Sequence, residues 1–180
     1  MAGTRAAVIA ALLIALSLAG FFFMRNGAKP VIVPAPISGS AFSSALTKAY
    51  ANDTYQFSLS MPDGFTVHES PADEDGITTI LLQNESGDGI QIRVTPGASG
   101  ARTLSADDIR AAIPDLTIEH PEPVALGTEY EGVAFLSDND AFDGASREVW
   151  FYFRGNLYQI STYARLDGLM KAVFSTWTFL

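Results

Sequence analysis

Between Arg5 and Arg25 the chain carries an unbroken apolar run, AAVIAALLIALSLAGFFFM, from Ala6 to Met24. As a helix rising about 1.5 Å per residue, it extends roughly 28 Å, the thickness of a bilayer's hydrocarbon core. Its only polar side chain is Ser17, which can bond back to the helix backbone. Residues 1–25 therefore read as an N-terminal transmembrane helix, and whatever follows must be tethered to or released from a membrane.

Release would need a cleavage site, and Ser17-Leu18-Ala19 is a small-x-small triplet of the required kind. The apolar run does not stop there, however. Gly20, Phe21, Phe22, Phe23 and Met24 carry it to full spanning length, which favours an uncleaved signal anchor. The chain has no cysteine, so it has no lipobox. Basic residues flank the span almost evenly, Arg5 on one side and Arg25 with Lys29 on the other. The layout decides the orientation: a short basic tail, one span, then everything else. The expected location is the cell membrane, single-pass, with the domain on the extracytoplasmic side.

Residues 26–49 read as a tether. Pro30, Pro34 and Pro36 are spaced through Val31, Ile32, Val33 and Ala35, which favours an extended, polyproline-like stretch. Ile37 to Ser44 is small and flexible, and Ala45 to Tyr50 is expected to form a short helical turn. A coil of about 25 residues reaches roughly 28 Å, enough to lift a domain clear of the headgroups.

Residues 50–180 are one domain by size. All 20 acidic residues but only nine of the 11 basic ones lie beyond Asn26, so the exported part carries a formal charge of −11. That balance argues against nucleic acid and against docking on anionic lipid.

Periodicity makes the domain strand-rich. Tyr55, Phe57, Leu59 and Met61 alternate with Gln56, Ser58 and Ser60, and Pro62-Asp63-Gly64 supplies a turn into Phe65 and Val67. Thr78–Gln83 and Gly89–Thr95 predict a hairpin. Ser105-Ala106-Asp107-Asp108 predicts an N-cap and a helix through Ala112, stopped by Pro114. Strands are expected around Leu116 and Ile118, over Tyr130–Leu136, and over Arg147–Phe153 and Leu157–Tyr163, the last two joined by a tight turn at Arg154-Gly155-Asn156. On the Arg147–Phe153 strand, Val149, Phe151 and Phe153 share one face while Trp150 and Tyr152 share the other, so both faces must be covered. An amphipathic helix is predicted from Arg165 to about Ser175, with Leu166, Leu169, Met170 and Val173 inward, and Trp177 and Phe179 packing after it.

Two of these segments carry a resemblance. Tyr55-Gln56-Phe57-Ser58-Leu59-Ser60-Met61-Pro62-Asp63-Gly64-Phe65 resembles the opening of PsbP-like and Mog1-like domains. The end resembles theirs too: Gly155-Asn156, a strand with Leu157-Tyr158-Gln159-Ile160, a helix, then Phe174-Ser175-Thr176-Trp177-Thr178-Phe179. The resemblance spans roughly residues 50 to 180 and rests on packing motifs. It implies an α+β fold, an α/β/α sandwich with a twisted, mainly antiparallel sheet and helices on both faces. Members of the family serve as photosystem accessory subunits, as small-GTPase partners, or as small membrane-anchored bacterial proteins. Fold analogy of this kind does not transfer function.

Chemistry-bearing residues are few. His68 and His120 are the only histidines and sit in separate segments. Serines and aspartates are plentiful, but there is no Gly-x-Ser-x-Gly elbow. Gly87-Asp88-Gly89 is too short for a phosphate loop and leads into a strand. The cluster Asp138-Asn139-Asp140-Ala141-Phe142-Asp143-Gly144, with Glu148 nearby, offers Asp138, Asp140 and Asp143 as oxygen ligands for Ca²⁺. Its spacing departs from the EF-hand pattern, and a solvated acidic loop fits it better. Asp73-Glu74-Asp75-Gly76 is a weaker version, and Asn52 and Asn84 head glycosylation sequons. Two function classes follow: a non-catalytic interaction domain binding a protein or envelope component, or a hydrolase using a cleft with His68 or His120.

Protease added to intact spheroplasts is expected to remove the domain; its protection, or a mature N-terminus at Gly20, would overturn the retained-anchor reading. EDTA is expected to leave the domain's melting midpoint unchanged, whereas a drop of many degrees would make the Asp138–Asp143 loop a structural metal site.

Overall fold

The computed structural model describes residues 45–98, 101–126, 130–142 and 144–180. The expected membrane helix and the tether up to residue 44 lie outside them. Among the described residues, no helix is long and apolar enough to cross a membrane.

The described chain forms β1 (Leu46–Asn52), β2 (Phe57–Pro62), β3 (Thr66–Ser70), β4 (Thr78–Gln83), β5 (Gly89–Pro96), α1 (Ala106–Ala112), β6 (Glu119–Leu126), β7 (Tyr130–Ser137), β8 (Ser146–Phe153), β9 (Asn156–Tyr163), α2 (Asp167–Ser175) and β10 (Thr178–Phe179). Single 3₁₀ turns cover Asp140–Phe142 and Ala164–Leu166.

Local chemistry explains most of these boundaries. In β2, Phe57, Leu59 and Met61 are buried and alternate with half-buried Ser58 and Ser60. The turn after it closes with Phe65 N–H donating to Pro62 O at 3.4 Å, and Gly64 takes φ +84°. Ser105 caps α1 reciprocally: its Oγ accepts from Asp108 N–H at 3.2 Å, and Asp108 Oδ2 accepts from Ser105 N–H at 3.0 Å. The β8–β9 hairpin turns through Arg154 (φ +45°) and Gly155 (φ +79°), the double positive-φ conformation that matches strand twist.

The expected single sheet is two sheets. Seven strands run in the order β3-β4-β5-β9-β8-β7-β6, and a separate three-stranded sheet runs β1-β2-β10. Every strand pairing is antiparallel. One face of the large sheet meets β2 and α2 in a single core, where Phe57, Leu59, Leu169 and Met170 pack with Ile92, Val149, Phe151 and Ile160. On the other face α1 lays Ile109 and Ile113 over Val133, Phe135, Trp150 and Tyr152. Every residue of β8 is buried, as its two-faced pattern predicts.

Two further expectations need correction. Leu46–Asn52 is strand, not a helical turn, and takes in residues 46–49 that were assigned to the tether. Leucine, lysine and alanine favour a helix locally, but the open edge of β2 offers six paired positions from Leu46↔Pro62 to Asn52↔Phe57, and pairing overrides propensity. Leu116 and Ile118 precede the strand they were expected to form: Leu116 N–H donates to Ile113 O at 3.1 Å, and β6 begins at Glu119.

Phe151→Ala and Trp177→Ala are each expected to cost about 3–5 kcal/mol, lowering the melting temperature by about 10–20 °C in a thermal scan. Gly132→Ala is expected to destabilise as well. A Cβ there meets Trp150 O at 2.5 Å and Phe151 Cβ at 2.6 Å, forcing β7 away from β8.

Candidate functional site

Ile80, Leu82, Ile90, Ile92 and Val94 point into the inter-sheet core, so alternation sends Thr79, Leu81, Gln83, Gln91 and Arg93 to the opposite face. Register aligns them in rungs. His68 pairs with Leu81, Leu81 with Gln91, and Gln91 with Ser161; Ser70 pairs with Thr79, Thr79 with Arg93, and Arg93 with Gln159. The apolar layer beneath α1 draws on β7, β8 and β9 and includes no residue of β3, β4 or β5. That half of the face is left open and polar, with Thr66, His68 and Ser70 exposed and Thr79, Leu81, Gln83 and Gln91 half-buried.

The open face has defined borders. Ala141 and Phe142 from the 3₁₀ turn, with Tyr163, wall a shallow depression of about 30 Å³ over Leu81, Gln83 and Gln91. Phe142 and Tyr163 meet edge-on at 5.3 Å, Arg165 lies 4.6 Å over the Tyr163 ring, and Arg165 Nη2 reaches Asp88 Oδ1 at 2.6 Å. Acidic loops close both ends of β4: Asp73-Glu74-Asp75 at one, Glu85 and Asp88 at the other.

Beside the open half, the face turns inward around Glu148, which is 3 % exposed. Ser146 Oγ donates to its Oε1 at 2.6 Å; Ser161 Oγ and Trp150 Nε1 donate to its Oε2 at 2.5 Å and 3.1 Å. Burial pushes the Glu148 carboxyl above its ordinary value, against those hydrogen bonds, and burial also lowers Arg93, which feels the charges of Asp73 and Glu148. Thr95 Oγ1, Ser137 Oγ and Gln159 Oε1, on the same face, are buried without a hydrogen-bond partner.

A larger groove of about 380 Å³ lies between α1 and β6–β7. Two of its carboxylates are already engaged: Asp107 with Arg110 at 3.0 Å and Glu122 with Arg147 at 3.2 Å.

The residues singled out from sequence are dispersed. His68 is exposed on edge strand β3, with Nε2 3.2 Å from Thr66 Oγ1. His120 is exposed on β6 at φ +48°, where the β6–β7 register slips. Asp138 is exposed, Asp140 opens the 3₁₀ turn, and Asp143 lies outside the described residues. Among the described residues no three His, Cys, Asp or Glu side chains are gathered as metal ligands. Asp73 Oδ1 instead accepts from Asp75 N–H and Ile77 N–H within its own loop. The role of Glu148 was missed, although Ser146, Glu148 and Trp150 recur at alternate positions of a strand buried on both faces.

No family model matches the chain, and no curated protein matches it. Among solved structures it is similar to the solution structure of cyanobacterial PsbP (CyanoP) from Synechocystis sp. PCC 6803. That likeness covers 81% of this chain and 100% of that one at 12% identity, with a TM-score of 0.53. The resemblance of the opening and closing segments and the likeness of the two folds agree: the described residues have a PsbP-like fold.

Proposed function

We propose that this protein is a membrane-tethered, extracytoplasmic accessory module that binds a protein or envelope partner and carries out no reaction of its own. The observation that carries this reading is the open polar half of the large sheet over β3, β4 and β5. Among the described residues Leu180, at 49 % exposure, is the exposed large apolar side chain, so a contact here is mainly polar around half-buried Leu81, Phe142 and Tyr163. The acidic loops at both ends of β4 favour a partner with a basic rim. The PsbP-like fold supports an accessory or interaction role, and the apolar run at residues 6–24 supports the tether.

Site-specific photo-crosslinkers at Leu81 or Gln91 of the full chain, in its own membrane, are expected to give a discrete adduct. One placed at Lys171 on α2 is expected to give none. Glu74→Lys/Asp75→Lys/Glu85→Lys, all at exposed positions, is expected to preserve the melting temperature and weaken the adduct, and raised salt is expected to mimic it. Equal adducts from both faces, or a charge-reversed variant that crosslinks like the parent, would overturn the reading.

A further inference from the structure

The shallow depression on the open face has walls that are held in place before any partner arrives. Phe142 and Tyr163 stand at 85° with ring centroids 5.3 Å apart. Arg165 lies over the Tyr163 ring at 4.6 Å and is itself tied to Asp88 at 2.6 Å. On the side of the β4–β5 loop, Gln83 Nε2 donates to Gly87 O at 3.1 Å. Asn84 Oδ1 accepts from Ser86 N–H and Asp88 N–H at 3.0 Å each, which folds the loop on itself. A ligand entering here does not have to order the rims first.

Size and lining narrow the ligand. A space of about 30 Å³ takes one methyl-sized group, and Leu81, Ala141, Phe142 and Tyr163 make its surroundings mainly apolar. Arg165 occupies one face of Tyr163 and Phe142 stands perpendicular to the ring, so the feature is a notch. It is not the flat aromatic platform on which a sugar ring stacks. Gln83 and Gln91 line the same notch with amide groups, whose donors and acceptors match those of a peptide backbone.

Charge narrows it further. Asp88 is neutralised by Arg165, but Glu85 is exposed on the same loop, and Asp73, Glu74 and Asp75 are exposed beyond the other end of β4. The larger groove between α1 and β6–β7 lacks that contrast, because Arg110 and Arg147 already meet Asp107 and Glu122.

We propose that the Phe142–Tyr163 notch receives a methyl-tipped aliphatic side chain, flanked by basic residues, from an extended polypeptide segment of the partner. The aliphatic tip fills the apolar notch, and the basic neighbours answer Glu85 and the acidic loop beyond β4. This rests on the interaction reading above and commits it to a protein partner over an envelope glycan.

The test is methyl NMR of the full chain in nonionic detergent micelles, titrated with three end-blocked tripeptides. Lysine-valine-lysine is expected to shift the Leu81 and Ala141 methyl signals saturably. Lysine-glycine-lysine is expected to bind about fourfold more weakly, the worth of one buried methyl group. Glutamate-valine-glutamate is expected to leave both signals still. Ala141→Leu, at a half-buried position, fills the notch and is expected to remove the preference for valine over glycine while keeping the melting temperature. If that variant folds poorly, Leu81→Asn makes the floor polar and is expected to do the same, read at the Ala141 methyl. Equal affinity for the valine and glycine peptides, a valine preference that survives both variants, or no shift at either methyl would sink the inference. The peptides need no native partner, so the two readings fail separately. A photo-crosslink at Leu81 without valine preference removes the anchor and leaves the interaction reading, and valine preference without a crosslink does the reverse.

Discussion

The fold depends on the aromatic stack that joins its two sheets. Phe57 of β2 stacks on Trp177 at 4.3 Å, and Phe179 of β10 stacks on Phe153 of β8 at 3.5 Å. Phe151 and Tyr158 stack between them, across the β8–β9 pair, at 5.0 Å. A three-stranded sheet ending in a two-residue strand has little stability of its own, and these rings fix it to the large sheet. The chain closes on itself in the process: residues before β3 and after α2 meet at β2, where Thr178 pairs with Ser58 and Phe179 with Phe57. Tyr158 Oη donates to Tyr55 O at 3.1 Å and anchors the entry to β2 from the opposite sheet.

That stack also explains what was legible. Phe57, Phe151, Phe153, Trp177 and Phe179 declare themselves by alternation and by the turns beside them, because their burial follows from local period and local punctuation. The partition into two sheets did not show, since the partners of β2 lie at opposite ends of the described chain and no local signal names them. β1 was misread for that reason. β6 was obscured by charge: Glu119-His120-Pro121-Glu122-Pro123 has the composition of a loop, and it is an edge strand because β7 supplies its hydrogen bonds.

The site was harder to read than the fold. Polar alternation in Thr66, His68 and Ser70, and in Thr79, Leu81 and Gln83, announces an outward face, but whether a helix covers it depends on where α1 lands. The histidines drew notice by rarity and proved to be surface residues. Glu148 drew notice as a neighbour of an acidic loop, and its importance lies in facing the other way. Three donors converge on it from β8 and β9, so the carboxylate specifies how two neighbouring strands sit at a cost in desolvation that an apolar residue would not carry.

The prolines of β6 have a consequence for how copies of this chain meet one another. Pro121 and Pro123 both lie on an edge strand, where proline is tolerated. That edge of the large sheet has two residues without an N–H and offers a poor template for another strand. On the proposed membrane tether, copies of this chain would meet one another far more often than the same number in free solution. Under such crowding a bare sheet edge would seed lateral polymers, and this edge is chemically blunted against that outcome.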